Sequence, residues 1–192
     1  MVEIGTGILF GYLYWYYGFR IELPIIMLYS CLFIVLLVID WEHGLILNKI
    51  VYPAAVVTLV ISIFVPPSQL IFTKATSATL IIDFLPQIGI IQALIGGSLG
   101  LFLFTLIIIV SRGGMGWGDA KMAGLVGIIT GYLVFLPIFL AGVIGGLVAV
   151  TLIVLRKKKR GESVPFGPFF SLGTMITLFW GGQLLEWYLT FF

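Results

Sequence analysis

The sequence predicts an all-α fold, a polytopic membrane helix bundle of about seven transmembrane helices. Three observations carry this. Of the 192 residues, 61% are hydrophobic and 9% are charged, against roughly 25% charged in an average soluble domain. The mean hydropathy is +1.22. Apolar runs of spanning length also follow one another with short polar connections between them, and a spanning helix needs about 20 such residues. A soluble fold of this size has too little core to hide so much apolar surface.

The seven runs are Val2–Gly18, Leu23–Ile39, Leu45–Val65, Ile88–Val110, Asp119–Val134, Phe135–Leu155 and Phe166–Phe191. The fifth is short and leads almost directly into the sixth, which predicts a tight turn at Tyr132–Pro137. The longest connection, Pro66–Gln87, is expected to hold at most a short surface helix. Residues 1–192 read as a single membrane-embedded domain. The start, Met1 to Thr6, has no basic segment, so no removable signal peptide is expected there.

Glycine is unusually frequent, with 24 residues. Small residues let membrane helices approach closely, so most of these glycines are expected in helix seams. Cys31 is the one cysteine and reads as a small apolar side chain. A formal net charge of +2 gives no reason to expect a nucleic-acid partner. Membrane lipid is the expected surrounding.

Lys and Arg stay on the cytoplasmic side of membrane proteins. One set of connections carries Lys49, Arg112, Lys121 and Arg156–Arg160, and the other carries Arg20 and Lys74. That bias puts the N-terminus in the cytoplasm and the C-terminus outside the inner (plasma) membrane. Arg156–Arg160 reads as an orientation signal beside anionic headgroups. Tyr14–Tyr17, and Trp187 with Tyr188, fit an aromatic belt at the outer interface.

Ionisable groups are costly in lipid and mark function by default. Glu3, Glu22, Asp83, Glu162 and Glu186 fall at span ends or in connections, where solvation is easy. Asp40 and Asp119 lie where a loop meets an apolar helix. Two spans separate them, so both reach the same, cytoplasmic, edge. A pair of close carboxyls shares one proton, because both cannot ionise together. The ionised member draws a proton from water, and the protonated member bonds the scissile carbonyl. Gly113, Gly114, Gly116 and Gly118 crowd the loop before Asp119, where backbone is free to approach a peptide. The same pattern also describes a plain turn capped by Asp.

Gly116-Trp117-Gly118-Asp119 matches a Gly-x-Gly-Asp motif, extended through Gly114 and Lys121. With Ile39–Ile46, Val164–Phe169 and Val2–Gly7, it makes the chain resemble the type IV prepilin peptidases. The resemblance implies a membrane aspartic endopeptidase that removes leader peptides from prepilins or pseudopilins at the cytoplasmic face, with Asp40 and Asp119 catalytic. Gly114, Gly116, Gly118, Lys121, Glu42 and His43 are implied as substrate-binding or supporting. Proteolysis implies no cofactor, and S-adenosylmethionine enters only where a methyltransferase activity is retained. Many bacterial members carry a preceding Cys-x-x-Cys domain that is not in this sequence, so no zinc site of that type is expected. Ile46-Leu47-Asn48 stands where the family has Ile-Pro before Asp or Asn.

His43 is the one histidine, and a zinc site needs three or four ligands, so no metal is expected. Lys121 reads equally as a partner of the aspartate pair or as an interfacial anchor. Pro165-Phe166-Gly167-Pro168 is expected to shape the start of the last span, with an active-site role secondary. The alternative functions are an inactive pilin-binding homologue and a small proton-coupled transporter. The oligomeric state is not legible.

Overall fold

In lipid the backbone must satisfy its own hydrogen bonds, so apolar runs resolve into helices. The computed structural model of the chain describes residues 2–44, 48–72, 87–110, 116–155 and 166–191, and no strand occurs among them. The helices are α1 (Val2–Tyr17), α2 (Glu22–His43), α3 (Asn48–Phe64), α4 (Pro67–Ile71), α5 (Gly89–Val110), α6 (Trp117–Thr130), α7 (Phe135–Val154) and α8 (Gly167–Thr190). Seven of these fall on the seven expected runs, and α4 is the addition. By length and composition, α2, α5 and the continuous stretch Trp117–Leu152 are long and apolar enough to cross a membrane, and α3 is a shorter apolar helix.

Three boundaries differ from expectation. Helix α2 runs one turn past Ile39 to His43. It stops at Gly44, whose φ of 62° supplies the left-handed cap that a side chain disfavours. Its amide donates to the Asp40 carbonyl at 2.8 Å. Between α6 and α7 the chain forms a 3-10 turn over Gly131–Val134, not a turn over Tyr132–Pro137. Gly131 adopts φ 58° and ends α6. Pro137 falls in the first turn of α7, where a missing N–H costs nothing. The third difference is α4, a short helix at the start of the Pro66–Gln87 connection that does not lie on the surface, while residues 73–86 of that connection lie outside the described residues. Pro67, Leu70 and Ile71 are buried, and α4 packs against α8, α5 and α6.

The most extensive interface joins α5 and α6. A Cβ on Gly96 or Gly127 would collide with the backbone oxygen of the other, and one on Gly100 would collide with Ala123 O. Lipid tails offer no hydrophobic drive between helices, so close backbone packing must hold them together. Gly96, Gly100, Ala123 and Gly127 recur at four-residue spacing, which keeps them on one face of each helix. Gly96, Gly100 and Gly127 thus sit in a helix seam, whereas Gly5, Gly7, Gly11, Gly142 and Gly146 have nothing within 4 Å of a built Cβ. Helix α8 packs against α7 and α2 and also touches α6 and α4. Phe104 of α5 meets Phe170 of α8 at 4.8 Å between ring centroids. Tyr17 of α1 donates to Leu178 O at 3.1 Å.

The bundle has two chemically distinct ends. At one, Gln69 Nε2 donates to Glu22 Oε1 at 2.9 Å, and the Ser68 amide donates to Gln92 Oε1 at 3.1 Å. Glu22 is thus buried and hydrogen-bonded, not freely solvated as its position at a span end suggested. At the other end lie the last turn of α2 and the first turns of α3, α6 and α8.

Candidate active site

Asp40 lies in the last turn of α2, on the stripe that also buries Phe33 and Leu36. It is 4% exposed. Helix periodicity turns it inward, since residues three and four apart share a face. Glu42 and His43 follow on the same turn, and both are exposed, as is Trp41. They belong to the helix, beyond the Ile39 end expected for this run, and their side chains are exposed where Asp40 is buried.

The Asp40 carboxyl meets the start of α8. The Gly167 amide interacts with it, and a Cβ built on Gly167 would run into Asp40 Oδ2 and sit 2.8 Å from Cγ. Oδ2 has no hydrogen-bond partner of good geometry among the described residues. A buried polar oxygen without a partner is costly, and such a group calls for an explanation.

Asp119 is the third residue of α6, with Gly116 as N-cap and Trp117 and Gly118 between them. Its amide donates to Gly116 O at 3.1 Å, which closes the first turn. Its carboxyl turns back to the Gly116 amide, as the third residue of a capping box does. The positive end of the helix dipole also favours a carboxylate here. Gly116 is exposed and Gly118 half-buried. Gly114 lies outside the described residues. Asp40 and Asp119 come from distant parts of the chain, yet they are close enough to interact electrostatically.

Lys121 takes a different direction. Its Nζ donates to Asn48 Oδ1 at 3.0 Å and lies 5.6 Å from the centre of the Tyr52 ring. It ties α6 to α3. Sequence reasoning missed Tyr52, named Asn48 without giving it a role, and gave Gly167 only a minor place. The available signals were Gly167 in the Pro-Phe-Gly-Pro stretch and Asn48 at the family's Asp or Asn position.

A family model described as the type IV leader peptidase family matches residues 26–150. The chain belongs to the type IV leader peptidase family. Among relatives of this family, the chain is similar to a prepilin leader peptidase/N-methyltransferase of Stutzerimonas stutzeri, at 28% identity over all of this chain and 61% of the relative. It is similar to the protein of the same description from Pseudomonas aeruginosa, at 27% identity over all of this chain and 61% of the relative. A third, from Aeromonas hydrophila, is 34% identical over 53% of this chain and 37% of the relative. The chain thus spans about three-fifths of the length of the first two. No solved structure gives a significant match.

Proposed function

We propose that the chain is a membrane aspartic endopeptidase that cuts the leader from type IV prepilins or prepilin-like proteins, with Asp40 and Asp119 as its water-activating pair. What supports this reading is placement: Asp40 in the last turn of α2 and Asp119 in the first turn of α6 lie at one end of the bundle, near enough for each to feel the other's charge. Membership of a leader peptidase family points to the same reaction.

The chemistry follows from the pairing. Two close carboxyls hold one proton between them, so the pair offers a base and an acid together. The ionised carboxyl takes a proton from water as the water oxygen bonds to the scissile carbonyl carbon. The protonated carboxyl donates to the carbonyl oxygen. Collapse of the tetrahedral intermediate breaks the C–N bond, and a proton passes to the leaving amine. The titration belongs to the pair and not to either residue.

The Lys and Arg bias supports a cytoplasmic placement of this end. Prepilin leaders enter the proposal as substrate through the relatives' descriptions. Those descriptions also carry an N-methyltransferase activity, which uses S-adenosylmethionine. Methyl transfer is not part of the proposal. A proton-coupled carrier places its acids near mid-membrane, whereas both aspartates here lie in terminal turns of their helices.

The test is co-expression with a prepilin, with processing followed by its change in size. Asp40→Asn and Asp119→Asn should each leave the precursor uncut. Cleavage by Asp119→Asn at the parent rate would refute the assignment.

A further inference from the structure

Gly167 opens α8 directly against Asp40. A side chain there has nowhere to go: its Cβ would run into Oδ2 and lie 2.8 Å from Cγ and 3.2 Å from Cβ of the aspartate. The obstacle is a short side chain in the last turn of a helix, with little freedom to move aside. The first turn of α8 also has little to offer a ligand except this one amide. Pro168 has no N–H, and the amides of Phe169 and Phe170 both donate to Phe166 O at 3.1 Å. Of residues 167–170, Gly167 alone keeps an N–H free of the helix, and it interacts with the Asp40 carboxyl. Asp40 is 4% exposed, and its Oδ2 is without a partner of good geometry among the described residues.

From this contact we infer that Gly167 is a positioning residue for Asp40: the lack of a side chain lets the carboxyl seat against the start of α8, and the free amide fixes where its oxygens point. The inference rests on the peptidase reading for its effect on rate, but the contact itself does not. A carboxyl held by an amide on one side presents its other lone pairs to water and substrate on the other. Such pre-set geometry is what a proton-transferring group needs, because small misplacements are costly.

Other glycines of α8 do a different job. A Cβ on Gly173 would meet Pro137 O at 2.7 Å and Ala141 N at 3.0 Å, so Gly173 lets α8 pack against α7. Substitution there strains the same helix without touching Asp40, and it serves as the comparison.

The experiment measures kcat, KM and thermal stability of the purified full chain, for Gly167→Ala, Gly173→Ala, Asp40→Ala and the Gly167→Ala/Asp40→Ala double variant. Gly167→Ala should lower kcat by about a hundredfold, the scale of a small misplacement of a reacting group, with KM unchanged. Gly173→Ala should lower Tm and leave kcat unchanged. The Tm loss from Gly167→Ala should largely vanish when Asp40 is already Ala, because Oδ2 and Cγ, the atoms it presses hardest, are gone and only the Cβ contact at 3.2 Å is left. That coupling is a readout that a general packing role would not move.

Two results would overturn the inference. One is a folded Gly167→Ala protein with parental kcat. The other is a Tm loss that persists undiminished in the Asp40→Ala background. If Gly167→Ala does not fold alone, the double variant decides: folding restored by Asp40→Ala supports the contact, and continued failure refutes it. If instead Asp40→Asn cleaves normally, the peptidase reading fails while the stability cycle still reports on the contact.

Discussion

Lys121 Nζ sits 3.0 Å from Asn48 Oδ1, and so the cation two residues after Asp119 is spent on joining α6 to α3. The bond is exposed, and hydrogen bonds to charged groups contribute about 1.5–3 kcal/mol at best. Exposure reduces that figure. Lys121→Met and Asn48→Ala should therefore each lower Tm slightly, and the double variant should lose little more than either single one. Cleavage should persist in all three. Complete loss of cleavage in Lys121→Met, with Asn48→Ala unaffected, would move Lys121 into the catalytic group.

Removing either carboxyl should abolish most of the rate. General acid–base groups contribute about 10²–10⁴-fold, and residues that act as one unit do not add. Asp40→Asn/Asp119→Asn is expected to be no slower than the worse single variant. Additive losses, measured as initial cleavage rates, would mean that the two groups act in separate steps.

The α5–α6 seam should tolerate no added bulk. Overpacking a tight site costs about 1–3 kcal/mol or more, and at Gly96 and Gly127 the obstacle is backbone. Gly127→Leu should abolish folded protein in a detergent thermal-shift assay. Gly142→Ala, with nothing within 4 Å of its Cβ, should leave stability near parental. Equal effects at the two positions would mean that the seam is not tight.

Four exposed tryptophans report on sidedness. Trp41 and Trp117 flank the aspartates, while Trp15 lies near the end of α1 and Trp187 near the end of α8, and all four are more than 60% exposed. Tryptophan favours membrane interfaces. In proteins keeping one Trp each, a quencher confined to one face should reach Trp41 and Trp117 together, and Trp15 and Trp187 only from the other face. Trp41 and Trp117 answering to opposite faces would separate the two carboxyls.

Hydropathy made most of the bundle legible. All seven runs are helices because lipid leaves backbone no other solution, and counting crossings brought Asp40 and Asp119 to one end. What stayed hidden was contact between distant segments. Glu22 looked solvated because no local pattern shows that Gln69 will fold over it. Glu42 and His43 fell outside the run expected to end at Ile39 because the cap that ends α2 is Gly44, two positions after Glu42 and one after His43. The direction of Lys121 depends on Asn48, on another helix, and the tight fit of Gly167 depends on a carboxyl far earlier in the chain. Periodicity reports which face a residue takes, and it is silent on what will press against that face.

The two acids also ride on different frames. Asp119 is carried by α6, fused to α5 through the glycine seam, while Asp40 is carried by α2, which leans on α8. Sliding one frame along the other would change the gap between the carboxyls without breaking a helix. Bilayers of unequal thickness impose that kind of shift by altering how helices tilt. If the chain is the peptidase proposed, its cleavage rate should therefore respond to lipid chain length.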